Sequence, residues 1–309
     1  MEQEELNKIL DDHKLWVESK GEKGKKAYLK GANLSDANLF GVNLSYVNLE
    51  GAVLYYAFLK DAYLSGANLK GANLQGANLE GANLQGANLQ GANLRDANMT
   101  DARLTGANLE GCKLKLCILT RAFMTDANLK SADLQGSFMV GAYLLCANLE
   151  GADLSFTNME GTSLKNANMK GADLRNITLF NSSLERSNLE GADMDNADLH
   201  STSLEGANMT GASLRKAFLK DSYMKDALLN GADLSGSSLK YAVLEDADLT
   251  NAILSHADLE ATVFFGAKFT VELRVAKSLC HSQFTKDQLP WVALHPRFPE
   301  FYNSIEVFE

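Results

Sequence analysis

The sequence lacks any long apolar run. No stretch of its 309 residues approaches the roughly 20 consecutive apolar residues that a helix needs to cross a bilayer. The first twenty residues are acidic and lack the basic-then-apolar order of a secretory signal. We therefore expect no membrane partner and a cytoplasmic protein.

Groupings typical of catalytic, metal or nucleotide sites are also missing. The glycine-rich segments lack the lysine of a phosphate-binding loop. Five scattered histidines have no cysteine or histidine neighbour at zinc spacing: His13, His200, His256, His281 and His295. The sequence predicts neither an enzyme nor a cofactor or metal site.

Cysteine and positive charge are both scarce. There are four cysteines; Cys112 and Cys117 fall at small core positions of the repeat described below, so we expect all four to be reduced. A net charge of −10, a pI near 5.1 and the absence of a basic patch argue against direct binding to nucleic acid.

A five-residue repeat dominates what is present, as in GANLKGANLQGANLEGANLQGANLQGANL at residues 66–94. Leucine at every fifth place forms no stripe on an α-helix. On a flat strand the same spacing would send successive leucines to opposite faces. A chain that turns once every five residues points all of them inward, so the repeat predicts a coil wound around its own leucines.

The repeat keeps one register from Leu29 to Phe269, giving 49 repeats, each centred on Leu, Met or Phe. A small residue, most often Ala, stands two places before each centre. Each repeat is too short to fold alone, so stability must come from stacking of neighbours.

Glycine is concentrated on a longer, 20-residue period. Two places after the centre, ten of twelve positions in the column from Gly31 through Gly51 and Gly71 to Asn251 are glycine. The period predicts four repeats per coil, about 12 coils and a rod about 58 Å long. We expect type II turns at that corner, where a positive φ favours glycine, and more varied turns at the other three.

The tandem five-residue motif A(N/D)Lxx resembles the repeat of the pentapeptide repeat family. The resemblance implies an all-β solenoid, a right-handed quadrilateral β-helix. We divide the chain into an N-terminal helical cap and linker (1–26), the β-helix (27–269), and an aromatic-rich C-terminal cap or dimerisation segment (270–309).

Two outward columns differ sharply. Asparagine recurs every 20 residues from Asn48 to Asn208, which predicts a hydrogen-bonded ladder. The next column is acidic, and residues 131–200 carry ten acidic against four basic residues. This acidic patch is a candidate surface for a basic partner: Asp133, Asp153, Asp173, Asp193 and Asp198. The competing interpretation is that aspartate there caps turns as asparagine does.

Outward aromatic pairs recur every 80 residues and are candidate anchors for a partner: Phe58 and Tyr63, Phe138 and Tyr143, Phe218 and Tyr223. Duplication of four-coil blocks would also produce them.

Both ends of a stacked β-structure need covering. Apolar residues on one helical face predict a capping helix at about residues 3–19. TKDQ at 285–288 fits a capping box. The C-terminal aromatic residues are candidates for a mixed cap or for homodimer contacts: Phe284, Trp291, Phe298 and Phe301. Gyrase-directed relatives pair through their C-terminal ends, which is the analogy behind the dimer.

These features predict a non-enzymatic interaction scaffold or structural rod that presents an acidic face to an unidentified protein partner. The alternative is a DNA mimic that acts on DNA gyrase and protects it from quinolones, as some family members do. The charge density, about one per 6 Å against one per ~1.7 Å in B-DNA, is low for mimicry along the whole length.

Overall fold

The computed structural model describes residues 3–269, 276–288 and 304–308. Trp291, Phe298 and Phe301 lie outside the described residues, so their predicted role stays a prediction. The chain divides into two compact units, Met1–Asp153 (unit 1) and Leu154–Glu309 (unit 2).

Parallel β-bridges join residues that are 20 apart. In unit 1 they run from Tyr28 paired with Asn48 to Asp133 paired with Asp153. In unit 2 they begin at Asn158 paired with Thr178. Within each unit, four five-residue repeats therefore complete one circuit, as the glycine column predicts.

The described residues contain four short parallel strands, all of them in unit 2. β1 (Asp248–Leu249) pairs with β2 (Lys268–Phe269), and β3 (Gln283–Thr285) pairs with β4 (Glu306–Phe308). Elsewhere in the repeats each side contributes a single bridge, because a turn follows every five residues.

The repeat centres form the core of each unit. Leu84 is fully buried, as are the other described centres from Leu39 to Leu244. The small residues two places earlier join them, and the Cys112 Sγ donates to the Leu89 carbonyl oxygen at 2.9 Å. Burial raises the pKa of the Cys112 thiol to about 12 and also raises the pKa of Cys117. All four cysteines are unbridged.

The corners differ from expectation. Every residue whose number ends in 1 or 6, from Gly31 to Gly266, has a positive φ, including Tyr46, Leu116 and Phe156. At Leu69–Ala72 the Ala72 amide donates to the Leu69 carbonyl at 2.9 Å, and Gly71 is the third residue. A positive φ at that position alone is the type II pattern. The prediction of varied turns at three corners was wrong, because uniform five-residue spacing imposes one turn geometry on all four.

Helix α1 (Gln3–Glu18) ends one residue before the predicted limit and packs on the first coils. Leu6 and Leu10 are buried, and His13 is completely buried. The Ala27 amide donates to His13 Nδ1 at 3.3 Å, and His13 Nε2 lies 3.2 Å from the Ser45 carbonyl oxygen. These contacts attach the helix to the start of the β-helix.

At the other end, Phe284 is buried and stacks on Phe264 with ring centroids 5.1 Å apart. Thr285 precedes a short 3₁₀ helix, Lys286–Gln288. Gln288 Oε1 accepts from the Thr285 amide at 2.8 Å, which is one half of the predicted capping box. In this described segment the Thr285 hydroxyl has no partner, so the other half is not formed. Phe284 belongs to the core and is not exposed for dimer contacts.

We number the four faces by the outward column that each carries: Asn48 (first face), Val53 (second), Phe58 (third) and Tyr63 (fourth). The predicted asparagine ladder is present on the first face. In unit 1, Asn68 Nδ2 donates to Asn48 Oδ1 at 3.3 Å, and the contact repeats up to Asn148. In unit 2, Asn188 donates to Asn168 and Asn208 to Asn188.

A second ladder on the first face was not predicted. Lysine and glutamate 20 residues apart form ion pairs at the corner that follows the asparagines: Lys30–Glu50, Lys130–Glu150 and Lys170–Glu190. Their Nζ to Oε distances are 3.2, 3.0 and 2.9 Å. The 20-residue period would have revealed these pairs, had the position after each centre been read as a column.

Candidate interaction surface

The six predicted aromatic anchors are all exposed. In unit 1, Phe58 stacks on Phe40 with ring centroids 6.0 Å apart, and Tyr143 stacks on Phe123 at 5.1 Å. In unit 2, Phe218 stacks on His200 at 5.8 Å. Several anchors therefore have a second ring beside them, which the 80-residue interval does not indicate.

Unit 1 also exposes apolar side chains on its third and fourth faces, with Leu116 at the turn before the third face and Leu145 at the turn after the fourth. Ile118 is bridged to Phe138 on the third face, and Phe123 to Tyr143 on the fourth. We call the following set the apolar corner: Leu116, Ile118, Phe123, Phe138, Tyr143 and Leu145. Every member is at least 39% exposed. Sequence reasoning selected only Phe138 and Tyr143, although Phe123 shares a column with Tyr143.

Three concavities follow one another along the fourth face of unit 1. The first, about 330 Å³, lies between α1 and the Asn43 and Tyr63 rungs. The second, also about 330 Å³, is lined by Asp61, Tyr63, Gly81, Asn83 and Arg103. The third, about 250 Å³, is lined by Gln85, Arg103, Thr105 and Phe123.

Neighbouring concavities share a residue, Tyr63 between the first two and Arg103 between the last two. We call this run, from Asn43 to Phe123, the fourth-face groove. It is hollow because small Asn83 and Gly81 lie between the larger Tyr63 and Arg103. The groove ends at the apolar corner.

The polar groups of the groove are incompletely paired. Asn83 Oδ1 accepts from the Gln85 amide at 3.1 Å. Its Nδ2, unlike those of the ladder, has no hydrogen-bond partner among the described residues. Arg103 likewise has no carboxylate within ion-pair distance in the described part of the chain, whereas nearby Arg121 forms a bidentate pair with Asp101 at 2.6 and 2.8 Å. That contact lowers the pKa of Asp101.

The predicted acidic patch is partly neutralised by the chain itself. In unit 2, Asp173 and Asp193 are bridged neighbours, and Arg175 lies between them, 2.5 Å from Asp173 Oδ2 and 3.8 Å from Asp193 Oδ2. The Arg175 hydrogen bond lowers the pKa of Asp173 below its ordinary value. In unit 1, Asp133 and Asp153 are bridged neighbours, and Asp133 also accepts from the Gln135 amide at 3.3 Å.

Asp198 of the patch and the neighbouring Asp195 are also paired. Asp198 Oδ1 lies 2.5 Å from His200 Nδ1, and Arg215 contacts Asp195 at 2.6 Å. Partial burial raises the pKa of Asp195, but hydrogen bonds from Arg215 and Ser213 outweigh it, and the pKa is lowered overall. Counting formal charge along the sequence missed these pairs because the partners are two or 20 residues away.

No three or more His, Cys, Asp or Glu side chains in residues 3–269, 276–288 and 304–308 are arranged to hold a metal ion. In those same ranges, no helix has the length and apolar character needed to cross a membrane.

Comparison with known proteins gives one family and several solved structures. A family model described as pentapeptide repeats matches eight copies, at residues 25–54, 32–71, 43–81, 77–115, 107–144, 142–179, 182–221 and 227–266. No curated protein sequence matches the chain significantly.

Among solved structures, the chain is 31% identical to HetL, a pentapeptide repeat protein involved in heterocyst differentiation regulation in the cyanobacterium Nostoc sp. strain PCC 7120. The match covers 78% of this chain and 88% of HetL, with a TM-score of 0.32. It is 18% identical to trypsin-treated QnrB1, a plasmid-mediated fluoroquinolone resistance protein, over 62% of this chain and 90% of that one, with a TM-score of 0.38. Rfr23 from the cyanobacterium Cyanothece 51142 is 31% identical over 37% of this chain and 60% of its own, with a TM-score of 0.17.

Proposed function

Because the chain belongs to the pentapeptide repeat family, whose members fold as right-handed quadrilateral β-helices and are generally structural or interaction proteins, we propose that it is a non-enzymatic interaction scaffold. Its partner is a protein, and the contact centres on the apolar corner of unit 1.

The observation that carries this proposal is the clustering of exposed apolar side chains at that corner. Single exposed apolar residues are ordinary, but contiguous groups on a soluble surface mark interaction sites. Aromatic side chains supply much of the binding energy at such sites. On the first face, in contrast, the polar side chains pair with one another in the two ladders.

A partner that binds the acidic patch has less support. Arg175, Arg215 and His200 already pair with carboxylates there, and a basic ligand would have to compete with them. The same pairing weakens the alternative function, a DNA-like surface for DNA gyrase. A homodimer through the C-terminal end and a cytoplasmic location stay predictions from the sequence.

Co-purification from the native host tests the scaffold. The variant Ile118→Ser/Phe123→Ser/Phe138→Ser removes three exposed apolar side chains and should fold like the natural protein. The matched control, Phe218→Ser/Tyr223→Ser/Tyr241→Ser, removes three exposed aromatics from unit 2. We expect proteins that bind the natural chain to be lost from the first variant and kept by the control. Equal recovery with all three chains would refute the role of the apolar corner.

A supercoiling assay with purified gyrase and a fluoroquinolone tests the alternative. At micromolar concentrations of the protein we expect neither inhibition of supercoiling nor protection of gyrase from the drug. Protection that disappears in Asp133→Asn/Asp153→Asn would establish the DNA-mimic function instead.

A further inference from the structure

The fourth-face groove of unit 1 is a continuous trough with unpaired polar groups on its floor. We propose that it binds an extended protein segment of about six residues, in which an acidic residue pairs with Arg103 and a neighbouring apolar residue packs on Phe123. This inference rests on the proposed scaffold function and names the chemistry of its partner.

The length follows from the layer spacing. Asn43 and Phe123 are four layers apart, each bridged to the next through Tyr63, Asn83 and Arg103. At about 4.8 Å per layer the groove is about 19 Å long. An extended chain advances about 3.3 Å per residue, so about six residues fill it.

Charge selects the acidic residue. Arg103 is the one cation that lines the second and third concavities. Several nearby bases have partners: Arg121 pairs with Asp101, Lys130 with Glu150, and Lys115 Nζ donates to Gln135. Arg95 and Lys113 have no ion pair among the described residues, but neither lines the groove. A carboxylate from a partner would complete the arrangement, and guanidinium to carboxylate bonds are among the stronger hydrogen bonds in proteins.

The opposite end of the groove sets the direction of the segment. Asp61 lines the second concavity and Asp11 the first, while Lys14 and Glu18 on α1 lie 3.9 Å apart. This end disfavours a second acidic residue. The acidic residue therefore lies near the Phe123 end, and any basic residue of the segment lies toward α1.

The groove offers contacts suited to a peptide. Phe123 and Tyr143 stack on each other at an interplanar angle of 5°, so each covers one face of the other and the pair presents an exposed apolar surface at the end of the groove. The Asn83 amide nitrogen, which no ladder uses, can donate to a peptide carbonyl.

The test uses the full chain and a displayed library of random nine-residue peptides. We expect enrichment of sequences with Asp or Glu next to Leu, Ile or Phe. A fluorescent peptide from the enriched set is then titrated against the natural protein, against Arg103→Glu, and against Arg95→Glu. The control makes the same charge change in unit 1, at the corner between the second and third faces.

We expect Arg103→Glu to weaken binding by at least tenfold and Arg95→Glu by less than twofold. Changing the peptide's acidic residue to Lys should restore binding to Arg103→Glu. Filling the trough with Asn83→Trp should weaken binding of the original peptide more than Asn83→Ala does, since both variants lose the bond to the Gln85 amide and only the first blocks the trough. Failure of the rescue, or equal loss in both arginine variants, would overturn the proposal.

Other outcomes separate the two proposals. If no peptide is enriched, or if oligosaccharides bind in place of peptides, the groove proposal is refuted. The scaffold proposal is then still tested by co-purification. If the apolar-corner variant loses host partners but Arg103→Glu keeps all of them and binds every enriched peptide normally, the scaffold stands and the groove proposal fails. Self-association of the chain that Arg103→Glu abolishes would make a second copy the occupant and also refute the proposal.

Discussion

The first and fourth faces of unit 1 share one backbone and one core, yet they use their side chains in opposite ways. On the first face, Asn88 donates to Asn68 and accepts from Asn108, while lysine and glutamate pair at the neighbouring corner. On the fourth face, the Asn83 side chain accepts one hydrogen bond from the adjacent turn, and Arg103 forms no ion pair within the described residues. The repeat therefore fixes the frame but leaves each face free to stabilise the fold or to bind.

The largest effects should come from the shared core, where the two faces must behave alike. Leu84 follows Asn83 on the fourth face, Leu89 follows Asn88 on the first, and both are fully buried. Leu84→Ala and Leu89→Ala should each lower the free energy of unfolding by about 2–5 kcal/mol, because each leaves a cavity. Urea unfolding followed by circular dichroism measures this. A loss below about 1 kcal/mol in Leu84→Ala would mean that the core behind the fourth face relaxes to fill the cavity.

Asparagine substitutions should separate the faces. Asn88→Ala removes its hydrogen bonds to Asn68 and Asn108 and leaves the Gln90 amide without its 3.2 Å acceptor. Asn83→Ala removes only the bond to the Gln85 amide. At about 1 kcal/mol per bond, we expect Asn88→Ala to cost about 3 kcal/mol and Asn83→Ala about a third as much. Equal losses in the same unfolding assay would show that the ladder adds little stability.

Corner residues should give a smaller effect of either sign. Gly91 has a φ of +67°, and a Cβ added there would meet nothing within 4 Å. Gly91→Ala should therefore cost about 1 kcal/mol from backbone strain alone. Leu116 has a φ of +60° and an exposed side chain, so Leu116→Gly should gain up to about 1 kcal/mol. Differential scanning calorimetry checks both, and a loss of stability in Leu116→Gly would mean that its side chain contributes more by packing than its backbone costs.

The sequence predicted the features that repeat in every coil. The buried centres, the 20-residue circuit and the asparagine ladder all follow from period alone, because period decides which residues point inward and which lie one layer apart. The positive φ at Tyr46 and Leu116 was not foreseen, since their residue types do not favour it. There the geometry of the coil overrides local preference.

The groove was also not foreseen, for a different reason. Periodicity places Tyr63, Asn83, Arg103 and Phe123 in one column, but it does not give the depth between them or show which charges already have partners. Arg103 differs from Arg121 and Arg175 because those two are paired, and from Arg95 because it lines the groove. Such pairing depends on side-chain reach across layers, which composition and spacing do not report.

The attachment of α1, which lines the first concavity of the fourth-face groove, should depend on pH because α1 carries the buried His13. The Ala27 amide donates to Nδ1, so this nitrogen carries no proton, and Nε2–H donates to the Ser45 carbonyl. Burial lowers the pKa of His13 below its ordinary value of 6.5, and Lys26 nearby acts in the same direction. Protonation would replace the acceptor at Nδ1 with a second donor that faces the Ala27 amide.

The sign of the effect follows from these pKa values. A His13 released from the coil has the higher pKa, so below about pH 6.5 the released helix binds more protons than the attached one, and attachment weakens as pH falls toward the lowered pKa. Above pH 6.5 it should be independent of pH. Trp16 stacks on His13 at 5.7 Å and reports the change by fluorescence, once the other tryptophan is removed by Trp291→Phe. We expect the Trp16 emission to shift to the red between pH 7.5 and 5, and His13→Gln, which cannot titrate, to abolish the shift. If both proteins shifted together, acidic groups elsewhere would control the helix, and the groove would keep its closed end at low pH.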